Sequence, residues 1–179
     1  NILFSFDDGP SIHSSKLLDL AKEMNVKFAF FILPEQATKY PDIVKRMVFE
    51  GHIVGTHFMI HKNHFLYSHS KLNQSLQRSV EIIQQISNHK IKYCRSPYGF
   101  IAPWQDCWIL KSGFNHVFWS LDSKDYKFES KNNIINRIKN NMKKNDIILL
   151  HDWDLENSNL VEIVKECLDF SLKKFKNYI

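Results

Sequence analysis

The side chains that could do chemistry in this sequence fall in short polar clusters, each directly after an apolar run. Asp7 and Asp8 stand side by side after Ile2-Leu3-Phe4-Ser5-Phe6, and Gly9-Pro10 then turns the chain. Ionised carboxylates at the end of a buried run need partners, because burying an unpaired charge is very costly. Taken alone, the pair reads as a solvated loop carboxylate plus a helix cap. His57 and His61 lie four apart in a polar, His-rich stretch over residues 56–69. Taken alone, they are two unrelated loop histidines. Two imidazoles plus a carboxylate, with one position left for water, form a recurring catalytic zinc set, and Asp8 could supply the carboxylate. A metal held in that way lowers the pKa of its water to about 7 and so provides a nucleophile at neutral pH. Arg95, then Asp122 with Asp125, and finally His151 follow later apolar runs in the same manner.

Those apolar runs are the elements that must position the clusters. Hydrophobicity and turn residues predict strands over residues 2–6, 27–33, 52–55, 91–94, 116–119 and 146–150. Pro34 ends the second of them. Helices are predicted over 14–24 with a serine cap and Asn25 as its stop, and over 42–50 between Pro41 and Gly51. The longest runs over 70–88, with Leu72, Leu76, Val80, Ile83 and Ile86 on one face. Three more follow: Pro103 to near Gly113, a Ser130-capped helix to Met142, and an amphipathic one from Asn159 to about Lys174. Alternating strand and helix argue for a parallel sheet, either doubly wound or a (β/α) barrel. No Gly-rich phosphate loop follows the first strand, which weakens a dinucleotide-binding reading. In parallel α/β folds the functional groups gather past the C-terminal ends of the strands. Five clusters on that one edge therefore predict a site.

Bulk composition narrows the class. A chain of 179 residues is one domain by length, spanning 1–179, and is long enough to bury a core. With 44% hydrophobic residues and 14 Phe it is an ordinary globular sequence rather than a disordered one. The longest apolar run, residues 28–33, is far too short to cross a bilayer. The net charge of +5 is spread along the chain, with a mild cluster at Lys173, Lys174 and Lys176. Nothing beyond charge supports nucleic-acid binding. Three cysteines offer neither a disulfide framework nor paired metal spacing. No targeting segment opens the sequence, so the protein is cytosolic or that segment lies outside it. Residues 177–179 could begin a further strand, and the chain reads as trimmed at both ends.

In chain order, Ser5-Phe6-Asp7-Asp8-Gly9-Pro10, His57-x-x-x-His61, Arg95-x-Pro97-Tyr98-Gly99, Asp122-x-x-Asp125 and Ile147-x-Leu149-x-His151 are present. This set resembles the five motifs of the polysaccharide deacetylase family, the NodB-homology domain of chitin and peptidoglycan deacetylases (carbohydrate esterase family 4). The resemblance spans essentially the whole chain. It implies a distorted (β/α) barrel with fewer than eight parallel strands and an active site at their C-terminal ends. It also implies metal-dependent removal of N-acetyl groups from an amino-sugar glycan, chitin- or peptidoglycan-type N-acetylglucosamine. Residue by residue, Asp7 resembles the general base, and Asp8, His57 and His61 the ligands of a divalent metal. Zinc suits that donor set first, with cobalt or nickel as alternatives. Arg95 resembles the bidentate partner that orients Asp7 and keeps it ionised. His151 resembles the general acid, with Asp125 hydrogen-bonded to its far nitrogen. The Tyr98 backbone N–H would stabilise the oxyanion, and Leu149 and Tyr126 would wall the acetyl pocket. The family's habit of acting on envelope glycans implies a cell-envelope or secreted location, with the cytoplasm left open. A carbohydrate-binding relative with little turnover, or an O-acetyl esterase on xylan-type glycans, would share nearly the same residues.

Some positions depart from the family pattern. Phe58 stands where Ser or Thr is usual, Ile60 where a small or polar residue is common, Ser96 replaces a common Pro and Tyr126 a usual Trp. The loop after His57 is thereby unusually apolar. Trp104 and Trp119 read as core residues, Trp153 as a wall of the sugar cleft. Asp152 reads as a cap for the helix that follows it.

Overall fold

Strand β1 (Leu3–Asp7) is buried from Phe4 onward, and it takes an interior position in the sheet. It pairs in parallel with β2 (Ala29–Ile32) on one side and β7 (Ile147–His151) on the other. In this computed structural model, which describes residues 2–127, 129–153 and 159–175, the remaining strands are β3 (Ile53–Thr56), β4 (Tyr93–Cys94), β5 (Asn115–His116) and β6 (Leu121–Asp122). Among the described residues the sheet has seven strands in the order β5-β4-β3-β2-β1-β7-β6, and every pairing is parallel. The suggestion of a strand at 177–179 and Lys176 of the basic cluster lie outside the described residues. No helix of the described residues is long and apolar enough to cross a membrane.

Sequence predicts a single fifth strand over 116–119, and here the structure differs. β5 and β6 lie at opposite ends of the strand order although only residues 117–120 separate them. The Val117 N–H donates to Cys94 O at 2.9 Å, and the Ser120 N–H donates to Ile147 O at 2.9 Å. The segment is thus handed from β4 to β7. The sheet therefore curls into a distorted half-barrel, and one broken strand bridges its two edges.

Side chains on a strand alternate between faces, and β1 shows what each face is for. Phe4 and Phe6 point outward and meet Phe28 and Phe30, with Phe6 and Phe30 stacked at 5.3 Å. Helices cover that outer face: α1 (Ile12–Glu23), α2 (Pro34–Lys39), α3 (Pro41–Phe49), α4 (His69–Ser87), α5 (Pro103–Lys111), α6 (Lys131–Asn141) and α7 (Leu160–Phe175). Ser5 and Asp7 take the other face, inside the curl, where they meet Arg95.

Three local expectations change. The cap of α1 is Ser11, whose Oγ accepts from the His13 N–H, while Ser14 lies one turn in and its Oγ accepts from the Ser11 N–H. Pro34 ends β2 but also opens α2, because its fixed φ and missing N–H suit a first helical turn. Asp152 caps no helix among the described residues: α7 starts at Leu160, and Asp152 is wholly buried and accepts from the Ser14 hydroxyl.

Candidate active site

The parallel register brings the C-terminal ends of the strands to one edge: Asp7 lies opposite Phe31 and His151, and Thr56 opposite Cys94. Asp7 is buried and tied to Arg95, whose Nη1 donates to Asp7 Oδ1 at 2.8 Å and to Ser5 Oγ at 2.9 Å. Arg95 Nε donates to Val117 O at 3.0 Å, on the bridging segment. The guanidinium is fully buried, 4.0 Å above the Phe31 ring and 5.6 Å from that of Trp119. The contact with Asp7 is therefore a single hydrogen bond rather than the expected bidentate one, because Nη1 is shared with Ser5 and Nε is spent on the backbone. Burial pushes the Asp7 pKa up to about 6 against the opposing pull of Arg95 and His151. Arg95 thus limits, without cancelling, the cost of burying this carboxylate.

Asp8 turns the other way. Its backbone is left-handed at φ 71°, which sends its side chain toward the β3 loop. Asp8 Oδ1 lies 3.6 Å from His57 Nε2 and 3.5 Å from His61 Nε2. That oxygen is buried and has no hydrogen-bond partner among the described residues. Burial, with the charges of His61 and Arg95 adding to it, drives the His57 pKa well below 6.5, so its imidazole is neutral, the form that ligates metals. One donor atom from each of Asp8, His57 and His61 falls within 4.8 Å of the others. A partnerless buried carboxylate oxygen facing two imidazole nitrogens fits a divalent cation. The loop that brings the histidines here is anchored by the His57 N–H to Ile32 O at 2.9 Å. Phe58, at φ 63°, then buries its ring in the core against His64 at 4.8 Å. The Met59 N–H that follows donates to the Ser75 hydroxyl at 3.3 Å, so packing of Phe58 and a hydroxyl from α4 hold this loop together.

His151 ends β7 and is gripped twice by Asp125: its backbone N–H donates to Oδ2 and its Nδ1 lies 2.8 Å from Oδ1. Burial opposes charge on the ring. The Asp125 hydrogen bond and the charges of Asp125, Asp7 and Asp8 outweigh it and push the pKa up to about 9. Nδ1 is spoken for, so Nε2 is the nitrogen left to exchange protons.

These groups share one cavity of about 590 Å³, lined by Asp7, Asp8, His57, His61, Tyr98, Trp119, Asp122, Tyr126, Leu149, His151 and Trp153. Tyr98 sits at φ 61° in the turn Pro97–Gly99, its ring 4.5 Å from that of His61. Gly99 is required there, because a Cβ would overlap the Trp119 ring. Trp119 is consequently a cavity wall rather than a core residue, and Trp104 is exposed on the surface. Asp122, which the sequence groups with Asp125, accepts from the Tyr126 hydroxyl at 3.0 Å. Ser5 and Asp152 belong beside the site without being evident from the sequence as site residues. Ser5 left a faint trace as the one polar residue inside an apolar run, Asp152 only its place beside His151.

Comparison with known proteins fits this geometry. The family model described as polysaccharide deacetylase matches residues 1–105. The chain belongs to the polysaccharide deacetylase family. It is 36% identical over 151 residues to a peptidoglycan-N-acetylglucosamine deacetylase of Bacillus cereus, covering 84% of this chain and 55% of that protein. It is 29% identical to a chitooligosaccharide deacetylase of Sinorhizobium fredii, covering 85% and 72%. The solved structure of a peptidoglycan N-acetylglucosamine deacetylase bound to 4-naphthalen-1-yl-N-oxidanyl-benzamide superposes with a TM-score of 0.89 at 32% identity, over 97% of this chain and 83% of that one. The chain spans little more than half the length of the Bacillus cereus relative. The distorted (β/α) barrel expected from the sequence is thus the fold of this family, here with seven strands among the described residues.

Proposed function

We infer that this member of the family hydrolyses the N-acetyl group of N-acetylglucosamine units in a peptidoglycan- or chitin-type glycan. The observation that carries the reading is the opposition, within one cavity, of an Arg95-held carboxylate and an Asp125-held imidazole beside Asp8, His57 and His61. With pKa values of about 6 for Asp7 and about 9 for His151, both are ionised at neutral pH, the base without its proton and the acid with it. Asp7 Oδ1 is engaged by Arg95, so Oδ2 takes the proton of the attacking water. His151 Nε2 gives its proton to the departing sugar amine, while Asp125 stabilises the imidazolium and fixes its orientation. The Tyr98 backbone N–H is assigned to the oxyanion, and Leu149 and Tyr126 to the acetyl methyl. Trp153, its ring 5.7 Å from His151, lines the sugar side.

A divalent cation held by Asp8, His57 and His61 supplies Lewis acidity for the carbonyl and acidifies water. Zinc is the proposed ion, with cobalt and nickel the alternatives for this donor set. The relatives' peptidoglycan substrate supports action at the cell envelope. The test is acetate release from N-acetylglucosamine oligomers and peptidoglycan by zinc-loaded protein and by Asp7→Asn. The reading expects release by the former and its loss in the latter; equal traces from both overturn it. Release from acetylated xylan alone would reassign the chain to O-acetyl esters.

A further inference from the structure

The loop that carries His57 and His61 is more apolar than its chemistry needs, and the structure shows where the surplus goes. Phe58 is spent on the core, but Phe65 and Leu66 are not. The Phe65 ring lies 5.0 Å from Phe100 and 6.1 Å from Trp104, which come from the loop after β4 and the first turn of α5. Phe100 is 50%, Trp104 54% and Leu66 91% exposed. The cluster stands over the same sheet edge as the catalytic cavity. Tyr98, itself 63% exposed, lines that cavity with its ring 4.5 Å from His61, and Phe100 follows it by two residues in the same loop.

This aromatic surface is held in place from beneath. Gln105 is fully buried, and its Nε2 donates to His64 O at 2.8 Å and Tyr67 O at 3.0 Å, while its Oε1 accepts from the Ala102 N–H at 3.0 Å. One side chain thus pins the 64–67 segment to the start of α5, and the His64 ring packs between those of Phe58 and Tyr67 at 4.8 and 4.7 Å. Exposed aromatic rings on a fixed base cost apolar surface and gain nothing from the fold. Sugar rings have one flat C–H face that packs on an aromatic plane, and aromatic contacts of this kind carry more than their buried area alone.

We propose that Phe65, Phe100 and Trp104 form a platform that binds the units of the glycan chain beyond the one whose acetyl group enters the cavity. The proposal rests on the deacetylase reading for the identity of the ligand, and it makes this chain selective for polymers over short oligomers. A second copy of the chain on the same patch is the competing occupant.

The double variant Phe100→Ala/Trp104→Ala changes only exposed side chains and keeps Gln105. With N-acetylglucosamine hexamer and dimer as probes, KM for the hexamer is expected to rise about tenfold more than KM for the dimer, the scale of two lost aromatic contacts. Equal changes for the two lengths, or none, overturn the platform. Binding of the hexamer to Asp7→Asn protein, read by Trp104 fluorescence and calorimetry, separates this from the activity. Hexamer binding weakened by Phe100→Ala without any acetate release keeps the platform and sinks the deacetylase reading. Acetate release with no chain-length preference does the reverse. A shift from dimer to monomer in sedimentation of the double variant assigns the patch to self-association and also overturns the proposal.

Discussion

The Asp125–His151 pair permits the most quantitative test. The His151 pKa is pushed up to about 9 from an ordinary 6.5, and Asp125 is the main group raising it against burial. At about 1.4 kcal/mol per tenfold, that difference is worth about 3 kcal/mol of stability to the charged ring. Because the folded pKa lies above the unfolded one, this contribution is full below 6.5 and is lost as pH rises through about 9. Asp125→Asn keeps one acceptor for His151 but removes the charge, while the burial that lowers the pKa stays. The midpoint is then expected at or below 6.5. At about pH 8 the protonated fraction falls from about 0.9 to about 0.03, a loss of roughly 30-fold, whereas near pH 6 the two proteins differ by less than about twofold.

The assay is the titration of the His151 ring proton by NMR, paired with the pH profile of acetate release. A variant midpoint within half a unit of wild type would refute the electrostatic role of Asp125. A rate deficit equal at both pH values would show that Asp125 only positions the ring.

Other perturbations follow from the same geometry. Asp8→Asn or His57→Ala removes a donor from the candidate metal centre, and since lesser changes around metal ligands cost 10–100-fold, zinc affinity by calorimetry is expected to fall by more than about 100-fold. Arg95→Met leaves Asp7 buried without a cation, expected to cost about 3–5 kcal/mol in urea unfolding near pH 8 and clearly less near pH 5, where Asp7 is protonated. Combining Arg95→Met with Asp7→Leu removes both buried charges and is expected to recover most of that stability while acetate release stays absent. Asp152 is buried with one carboxylate oxygen unpartnered among the described residues, and burial pushes its pKa up to about 7 from 3.8. Its folded pKa lies above the unfolded one, so the wild type loses stability relative to Asp152→Asn as pH rises from about 4 to about 7, by up to roughly 4 kcal/mol. A pH-independent gap between those two proteins would show that Asp152 is not the titrating group.

The sequence was most legible where chemistry and periodicity coincided. Reactive residues at the ends of apolar runs grouped Asp7, Asp8, His57, His61, Arg95 and His151 on one edge, and the parallel pairing of β1 with β2 and β7, and of β3 with β2 and β4, brings those strand ends together. The divided fifth strand was invisible because Val117 to Ser120 is as apolar and extended as a continuous strand would be; only closure of the curled sheet splits it. α2 was missed because a six-residue helix carries too little periodicity, so Pro34 showed only as a break. Asp8, Phe58, Tyr98 and Lys124 all take positive φ without being glycine, and such strain leaves no mark in composition. Asp152 looked like a cap because burial cannot be read from a polar residue after a strand. Its place is set by Gly9, where any Cβ would overlap its carboxylate.

Why bury an arginine at the centre of this fold? Arg95 has no solvent contact, its Nη2 lacks a hydrogen-bond partner among the described residues, and the pair it forms with Asp7 is a single bond. A buried ion pair of this quality is weak support for stability, and apolar residues of like volume would serve the fold as well or better. What the pair does accomplish is positional. Arg95 Nε fixes Val117 on the bridging segment, its plane lies on Phe31, and its Nη1 holds both Ser5 and Asp7 on the inner face of β1. The edge closure that splits the fifth strand and the orientation of the proposed base therefore depend on the same side chain. Asp7 and Asp8, adjacent in sequence, are separated in role because one is held by that cation and the other is turned by its left-handed backbone toward His57 and His61.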